Sequence, residues 1–250
     1  ERTVRSIPEF VDRVLVVDDG SADGTASVAR ALLDPRVQVV SHAQNRGVGA
    51  ALCTGYRLAL AAGMDAVAVM AGDAQMHPDD LLALLTPVVS GQVDYAKGDR
   101  LSHPEVRARM PWTRHVGNCA LSALTRLAIG LPVSDSQCGY TVLSRRALER
   151  LPLDALWCGY GYPNDLLGWL RNTGATIRDV TVRPVYGQEQ SGIGLRHALL
   201  VIPYVLLRVL WRRVLFAFAQ QTLPRATEMR ADAAYSAEIN ALPVLPSARR

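Results

Sequence analysis

The four cysteines of this 250-residue chain, Cys53, Cys119, Cys138 and Cys158, are scattered and form no CxxC pair. Neither a zinc site nor a disulfide framework is therefore indicated, and a reduced, cytoplasmic setting is the simpler expectation. The histidines His42, His77, His103, His115 and His197 stand at no metal-ligand spacing. No GxGxxG follows a strand-like run, which argues against a dinucleotide-binding oxidoreductase. Aromatic residues make up only 6% and no basic stripe is interleaved with them, so a net charge of +4 suits anionic phosphates or lipids without selecting nucleic acid. The apolar run from Ala198 to Leu207 is too short to span a bilayer, contains Pro203 and is then broken by Arg208, Arg212 and Arg213. There is no initiator Met and no basic-then-apolar signal peptide.

What is present is an alternation of short apolar strands and helical segments, which predicts an α/β fold with a mostly parallel sheet covered on both faces. Strands are expected near 14–17, 37–41, 66–70, 95–97, 140–143 and 176–183, and helices near 25–33, 48–62, 78–89, 116–129 and 165–172. With 49% hydrophobic residues, one large domain can bury a sizeable core.

The stretch VLVVDDGSADGT, Val14 to Thr25, carries most information. A β-branched run bounded by turn residues suits a buried parallel strand and delivers Asp18 and Asp19 to its carboxyl end, the edge at which open α/β sheets bind ligands. An ordinary acidic turn is the competing reading. The second signal is VMAGDAQMHPDDL, Val69 to Leu81, in which another strand ends in Gly72, Asp73 and Gln75 before Pro78 opens a helix. Asp73 and Gln75, one residue apart, could both offer oxygen ligands to a hard cation.

VVDDGSADGT (Val16 to Thr25), NRGVGAA (Asn45 to Ala51), GDAQMHP (Gly72 to Pro78), KGDR (Lys97 to Arg100) and DSQCGY (Asp135 to Tyr140) occur in one order through most of Arg13 to Gly192. In that order they resemble the glycosyltransferase family 2 enzymes of GT-A fold, and within them the dolichol-phosphate mannosyltransferase-like group. The resemblance implies a GT-A sandwich with a mostly parallel central sheet, a nucleotide-diphosphate sugar as donor, inversion at the anomeric carbon, Mg²⁺ or Mn²⁺ as cofactor and polyprenyl phosphate as acceptor. A polysaccharide or small-molecule hydroxyl is the alternative acceptor, and a non-catalytic sugar-nucleotide-binding protein the alternative function.

Carried onto this chain, the resemblance places Asp18, Asp19, Asn45, Gly47, Gly49 and Asp73 around the nucleotide sugar, with either acid of the Asp18–Asp19 pair reaching the base. The glycines either admit backbone close to the nucleotide or simply lead into a helix. Asp73 and Gln75 are the metal ligands, and Asp73 and Asp135 the catalytic carboxylates, with Asp135 a base or an acid that orients the acceptor. Arg100, Arg114 and Asp165 face phosphate or acceptor, although Asp165 equally suits a helix N-terminus. Three departures accompany the match: Ala71 stands where the DxD metal motif has its first Asp, YGQEQSG around Ser191 lacks the flanking cations, and ERTVRSIPEF reads as the tail of a helix whose preceding strand is missing.

The expected organisation is a glycosyltransferase domain over residues 1–192, an amphipathic helix over 193–222 and a poorly ordered tail over 223–250. No acidic residue offsets the arginines between Gln190 and Thr227. That helix either lies on an anionic membrane, peripheral on the cytoplasmic face, or packs on the domain's own core.

Overall fold

The computed structural model describes residues 1–186 and 200–219. The Ser191 loop, the start of the helix expected from Gly194 and the tail beyond residue 222 lie outside the described residues. The chain divides into two units, Glu1–Leu210 and Trp211–Arg250. The second is described only over residues 211–219, which are helical. No described helix is long and apolar enough to cross a membrane.

In the first unit the chain runs α1 (Arg2–Arg5), β1 (Val14–Asp18), α2 (Thr25–Arg30), β2 (Val37–Ser41), α3 (Val48–Ala61), β3 (Ala66–Val69), α4 (Leu81–Val89), β4 (Tyr95–Asp99), α5 (Val106–Arg109), α6 (Trp112–Ile129), β5 (Thr141–Ser144), α7 (Arg145–Arg150), α8 (Tyr162–Asn172) and β6 (Ile177–Thr181). Residues 202–210 add a last helical segment, α9. All the expected strands form. Pro78 opens a single 3₁₀ turn ahead of α4, while α6 and α8 each begin about one turn earlier than expected, α6 directly after Pro111 and α8 with Pro163 in its first turn.

The sheet departs from expectation. β1 and β2 form a parallel pair by themselves, and a separate four-stranded sheet has the order β3-β5-β4-β6. In it β5 runs antiparallel to both β3 and β4, and only β4 and β6 are parallel. A mostly parallel central sheet is thus corrected to two split sheets, one of them mixed. The cause is the connection from β4 to β5. Strand β5 enters opposite Lys97, and the Gly98 N–H donates to the Tyr140 carbonyl at 2.8 Å. The excursion through α5 and α6 therefore leaves and returns at one sheet edge, so the next strand must run backwards.

Period-2 alternation gives this sheet two buried faces. Tyr95 and Leu143 face one core cluster with Tyr56 of α3, Leu148 of α7, Leu167 and Leu170 of α8, and Ile202, Val205 and Val209 of α9. Ala96, Val142 and Val182 face the other, filled by Leu81, Leu84 and Val88 of α4. Each fully buried leucine contributes roughly 1.5–3 kcal/mol. Four of the α9 residues between 202 and 209 are thus core, which is how the first part of the expected amphipathic helix is placed.

Candidate active site

Two loop clusters gather at the carboxyl ends of β1, β3 and β4. In the first, Asp18 is buried and its Oδ1 accepts the Ser21 N–H at 3.2 Å, closing the turn after β1. Asp19 is more heavily engaged. Its Oδ1 lies 2.6 Å from His42 Nδ1 and 2.9 Å from the Arg46 N–H, and its Oδ2 accepts the Gly47 N–H at 2.7 Å. Burial raises the carboxyl's pKa, but these donors outweigh it and hold the group below its ordinary value. Asn45 adds its Oδ1 to the same Gly47 N–H at 3.1 Å. Asp19 is thereby the anchor of the Asn45–Gly49 loop, whereas among the described residues the Asp18 carboxylate accepts only the Ser21 N–H.

The two glycines of that loop are needed for a close backbone approach made by the chain itself. Gly47 has φ +96°, and a Cβ there would stand 2.5 Å from the Cys158 carbonyl; at Gly49 it would stand 2.0 Å from the Trp157 carbonyl. The Gly49 N–H donates to Cys158 O at 2.6 Å. The same segment holds Asp165, which is fully buried: its Oδ2 accepts the Trp157 N–H at 3.0 Å and its Oδ1 lies 3.9 Å from Arg208 Nε. Arg208 also donates to Ala155 O at 2.7 Å and lies over the Trp157 ring. Asp165 and Arg208 accordingly belong to the packing between α8, α9 and the loop before α8, and Asp165 does not line the cleft described next.

That cleft is lined by Asp73, Gln75, Arg100, Tyr140 and Arg183 together with apolar side chains. Asp73 is exposed and its Oδ1 accepts the Gln75 N–H at 3.0 Å, a tight turn completed by Ala74 at φ +59°. Opposite stands Arg100, held by Asp135: Nε to Oδ2 is 2.7 Å, Nη2 to Oδ1 is 3.1 Å, and the Arg100 N–H also donates to Oδ2 at 3.2 Å. The Asp135 side chain is 0% exposed. Burial raises its pKa, but the bidentate Arg100 and the nearby Lys97 charge more than offset this and keep it below the ordinary carboxylate range. Both Asp135 oxygens are thus committed to holding a cation, and among the described residues lining the cleft Asp73 is the only carboxylate.

Lys97 of the KGDR motif, and Asp179 and Arg183, which no motif marks, complete the support. Lys97, 1% exposed, donates to the Asp135 carbonyl at 2.6 Å and pairs with Asp179 of β6 at 3.0 Å; Asp179 in turn accepts the Ser134 N–H at 2.6 Å. Arg183, two residues past β6, pairs with Asp79 at 3.1 Å and with Asp80 at 3.2 Å. Those two acids, in the turn that Pro78 opens, fasten a cation at the cleft. Arg114 lies over the Tyr186 ring, 5.5 Å from guanidinium carbon to centroid. Tyr186 follows directly on Val185 of the cleft wall, so Arg114 stands beside that end of the cleft.

No group of three or more His, Cys, Asp or Glu side chains able to hold a metal occurs among the described residues. Asp73 and Gln75 present a partial set of hard oxygen donors at the cleft lip. Such a set fits a magnesium-like ion only when substrate phosphate and water fill the remaining positions.

Over residues 1–151 the chain matches the family model for Glycosyl transferase family 2. It is similar to the UDP-N-acetylglucosamine–dolichyl-phosphate N-acetylglucosaminyltransferase of Methanococcus voltae, with 30% identity over 197 residues, 73% of this chain and 78% of that protein. Similarity to the polyprenol monophosphomannose synthase of Mycolicibacterium smegmatis is 33% over 194 residues, 74% of this chain and 73% of that one. Among solved structures, glucosyl-3-phosphoglycerate synthase from Mycobacterium tuberculosis, in complex with Mn²⁺, uridine diphosphate and glucosyl-3-phosphoglycerate, aligns with a TM-score of 0.62 at 26% identity, over 83% of this chain and 73% of that chain.

Proposed function

From the premise that the chain belongs to glycosyl transferase family 2, we propose that it is an inverting transferase that moves a sugar from a nucleotide diphosphate onto polyprenyl phosphate. The observation that carries the choice of acceptor is the Arg100–Asp135 pair. A hydroxyl acceptor requires a base near its proton, and the carboxylate expected to be that base is buried and bonded to Arg100 on both oxygens. A phosphate monoester is already anionic at neutral pH. It requires cations to place it in line, and Arg100 and Arg183 line the cleft with Arg114 beside it. Asp135 is then a positioning residue for Arg100. The similar Methanococcus and Mycolicibacterium proteins, named for dolichyl phosphate and polyprenol, support the same acceptor class.

On the donor side, Asp18, Asp19, Asn45, Gly47 and Gly49 form the nucleotide wall, with Asp18 the acid available to a base and Asp19 the clamp of the loop. Asp73 and Gln75 would hold Mg²⁺ or Mn²⁺, which supplies neutralisation of the departing diphosphate. The test is transfer from a panel of nucleotide sugars, with and without divalent metal, to short-chain polyprenyl phosphate or to the matching unphosphorylated polyprenol. Product on the phosphate alone is expected. Transfer to the alcohol but not the phosphate overturns the acceptor assignment. Donor binding with no transfer or hydrolysis would instead identify a binding protein, the reading favoured by Ala71.

A further inference from the structure

Helix α6 buries Ala128 and Ile129 in the core and yet leaves a second apolar surface outside. The residues it turns inward include Ser122 and Thr125, both 0% exposed. The Ser136 N–H donates to Ser122 Oγ at 3.0 Å, while the Thr125 hydroxyl lies 2.9 Å from Asn164 Oδ1 and 3.1 Å from Ser136 Oγ. Its exposed side carries Trp112 at 76%, Val116 at 56%, Leu124 at 51% and Leu127 at 72%, with exposed Ala120 and Ala123 between them. These positions, 112, 116, 120, 123, 124 and 127, follow i, i+3 and i+4 spacing and form one unbroken apolar stripe. An apolar surface of this kind, on a helix whose inner face is already packed, marks an interaction site.

We propose that this stripe docks the protein on an anionic phospholipid bilayer. Charge selects the occupant: from Val106 to Ser134 the chain holds Arg107, Arg109, Arg114 and Arg126 and no acidic residue. Arg107 and Arg126 are exposed, Arg109 is exposed and paired with Glu105 at 2.7 Å, and a tryptophan stands at the amino-terminal end of the stripe, the combination that lies in a headgroup layer. Arg114, on the same helix, lies over Tyr186 beside the cleft. Arg114 projects from the face of α6 opposite the stripe, so a bilayer seated on the stripe lies about one helix diameter, roughly 10 Å, from it, the distance a lipid-borne phosphate would cross to the site. The inference deepens the polyprenyl-phosphate reading and rests on it only for that last step.

The test is co-sedimentation of the whole chain with vesicles of phosphatidylcholine alone or mixed with phosphatidylglycerol, at low and high salt. The probes are the wild type, the Leu124→Ser/Leu127→Ser double variant and, as a separate face, Leu200→Ser/Leu207→Ser. The wild type is expected to bind the mixed vesicles and to weaken with salt. The α6 double variant should lose about tenfold or more in partitioning while keeping its melting curve and its transfer to a short, water-soluble polyprenyl phosphate. Unchanged partitioning of that variant, or dependence on the Leu200 and Leu207 pair alone, overturns the proposal. So does a solution dimer that the α6 changes dissociate, since a second copy would then cover the stripe. Vesicle binding that follows α6 without any transfer to polyprenyl phosphate would leave the docking in place and remove the acceptor reading.

Discussion

The imidazole of His42 lies 2.6 Å, Nδ1 to Oδ1, from the Asp19 carboxylate, and its far nitrogen lies 2.9 Å from the Thr54 hydroxyl. The ring thus bridges the end of β1 to α3, and Asp19 passes that constraint to the Arg46 and Gly47 amides. Replacing Asp19 by Ala strips the acceptor from these donors, at about 1–3 kcal/mol of stability for groups left unsatisfied. The expected kinetic effect is a raised KM for the nucleotide sugar, with His42→Ala producing the same change to a smaller degree. Calorimetric titration with the nucleotide diphosphate checks both.

Breaking the buried pair at Asp135 should be costly in a different way. Asp135→Asn leaves the Arg100 charge without its counterion, for which a loss of about 3–5 kcal/mol in denaturant unfolding is expected. Transfer should fall with it, because Arg100 is no longer held over the cleft. A variant that melts like the wild type would show the pair to be dispensable.

Acid should weaken the fold through the same carboxylates. Asp19, Asp94 and Asp135 all sit below their ordinary value in the folded chain. A carboxyl whose folded pKa is lowered binds fewer protons folded than unfolded, so its stabilisation is complete above the unfolded value near 3.9 and is lost as pH falls through the folded one. Unfolding free energy should therefore be flat across these groups' range above about pH 5 and decline steeply below about pH 4, which denaturant titration at stepped pH measures.

Asp73→Ala should leave the fold intact and abolish transfer. The side chain is exposed and its recorded bond is to the Gln75 amide of its own turn, so the stability change should stay within about 0.5 kcal/mol. Turnover should fall by about a hundredfold or more as the departing diphosphate loses its compensation. Conversely, Ala71→Asp should tighten Mn²⁺ binding in the presence of nucleotide diphosphate, and an unchanged titration would count against shared coordination.

Two glycines offer a contrast in packing. A methyl at Gly49 would meet the Trp157 carbonyl at 2.0 Å, whereas at Gly117 in α6 it meets nothing within 4 Å. Gly49→Ala should force the Trp157–Cys158 backbone away from α3 and unfold that junction. Gly117→Ala should stabilise α6 by about 0.5–1 kcal/mol. Paired thermal melts distinguish them.

The strands and most helices were legible because each is a local pattern: VLVV and AVAV are apolar runs bounded by turn residues, and Pro78 marks a helix start. The antiparallel placement of β5 was not, since nothing in Thr141–Ser144 records that its connection returns to the edge it left. The same distinction divides the site. Asp19, Asp73 and Asp135 stand in recognisable motifs, but the sequence does not say that Asp135 is spent on Arg100. Lys97, Asp179 and Arg183 acquire their roles only when β4, β6 and the loops beside them are brought together. The stripe on α6 is illegible in the sequence for a related reason: apolar periodicity marks a helix face without telling which side the core occupies, and here Ala128 and Ile129 turn inward beside Ser122 and Thr125 while Leu124 and Leu127 stay outside.

Because the excursion from β4 to β5 begins at Arg100 and closes at Asp135, it forms a loop stapled at its base by the ion pair between those two residues. The energy of closing such a loop depends only weakly on its length, and the sheet register is set outside it. Within residues 101–134 the buried Ile129, Val133, Ser122 and Thr125 are tied to the rest of the domain, so what can vary without disturbing the sheet is the outward surface of this segment, carried on a loop whose two ends the ion pair holds together.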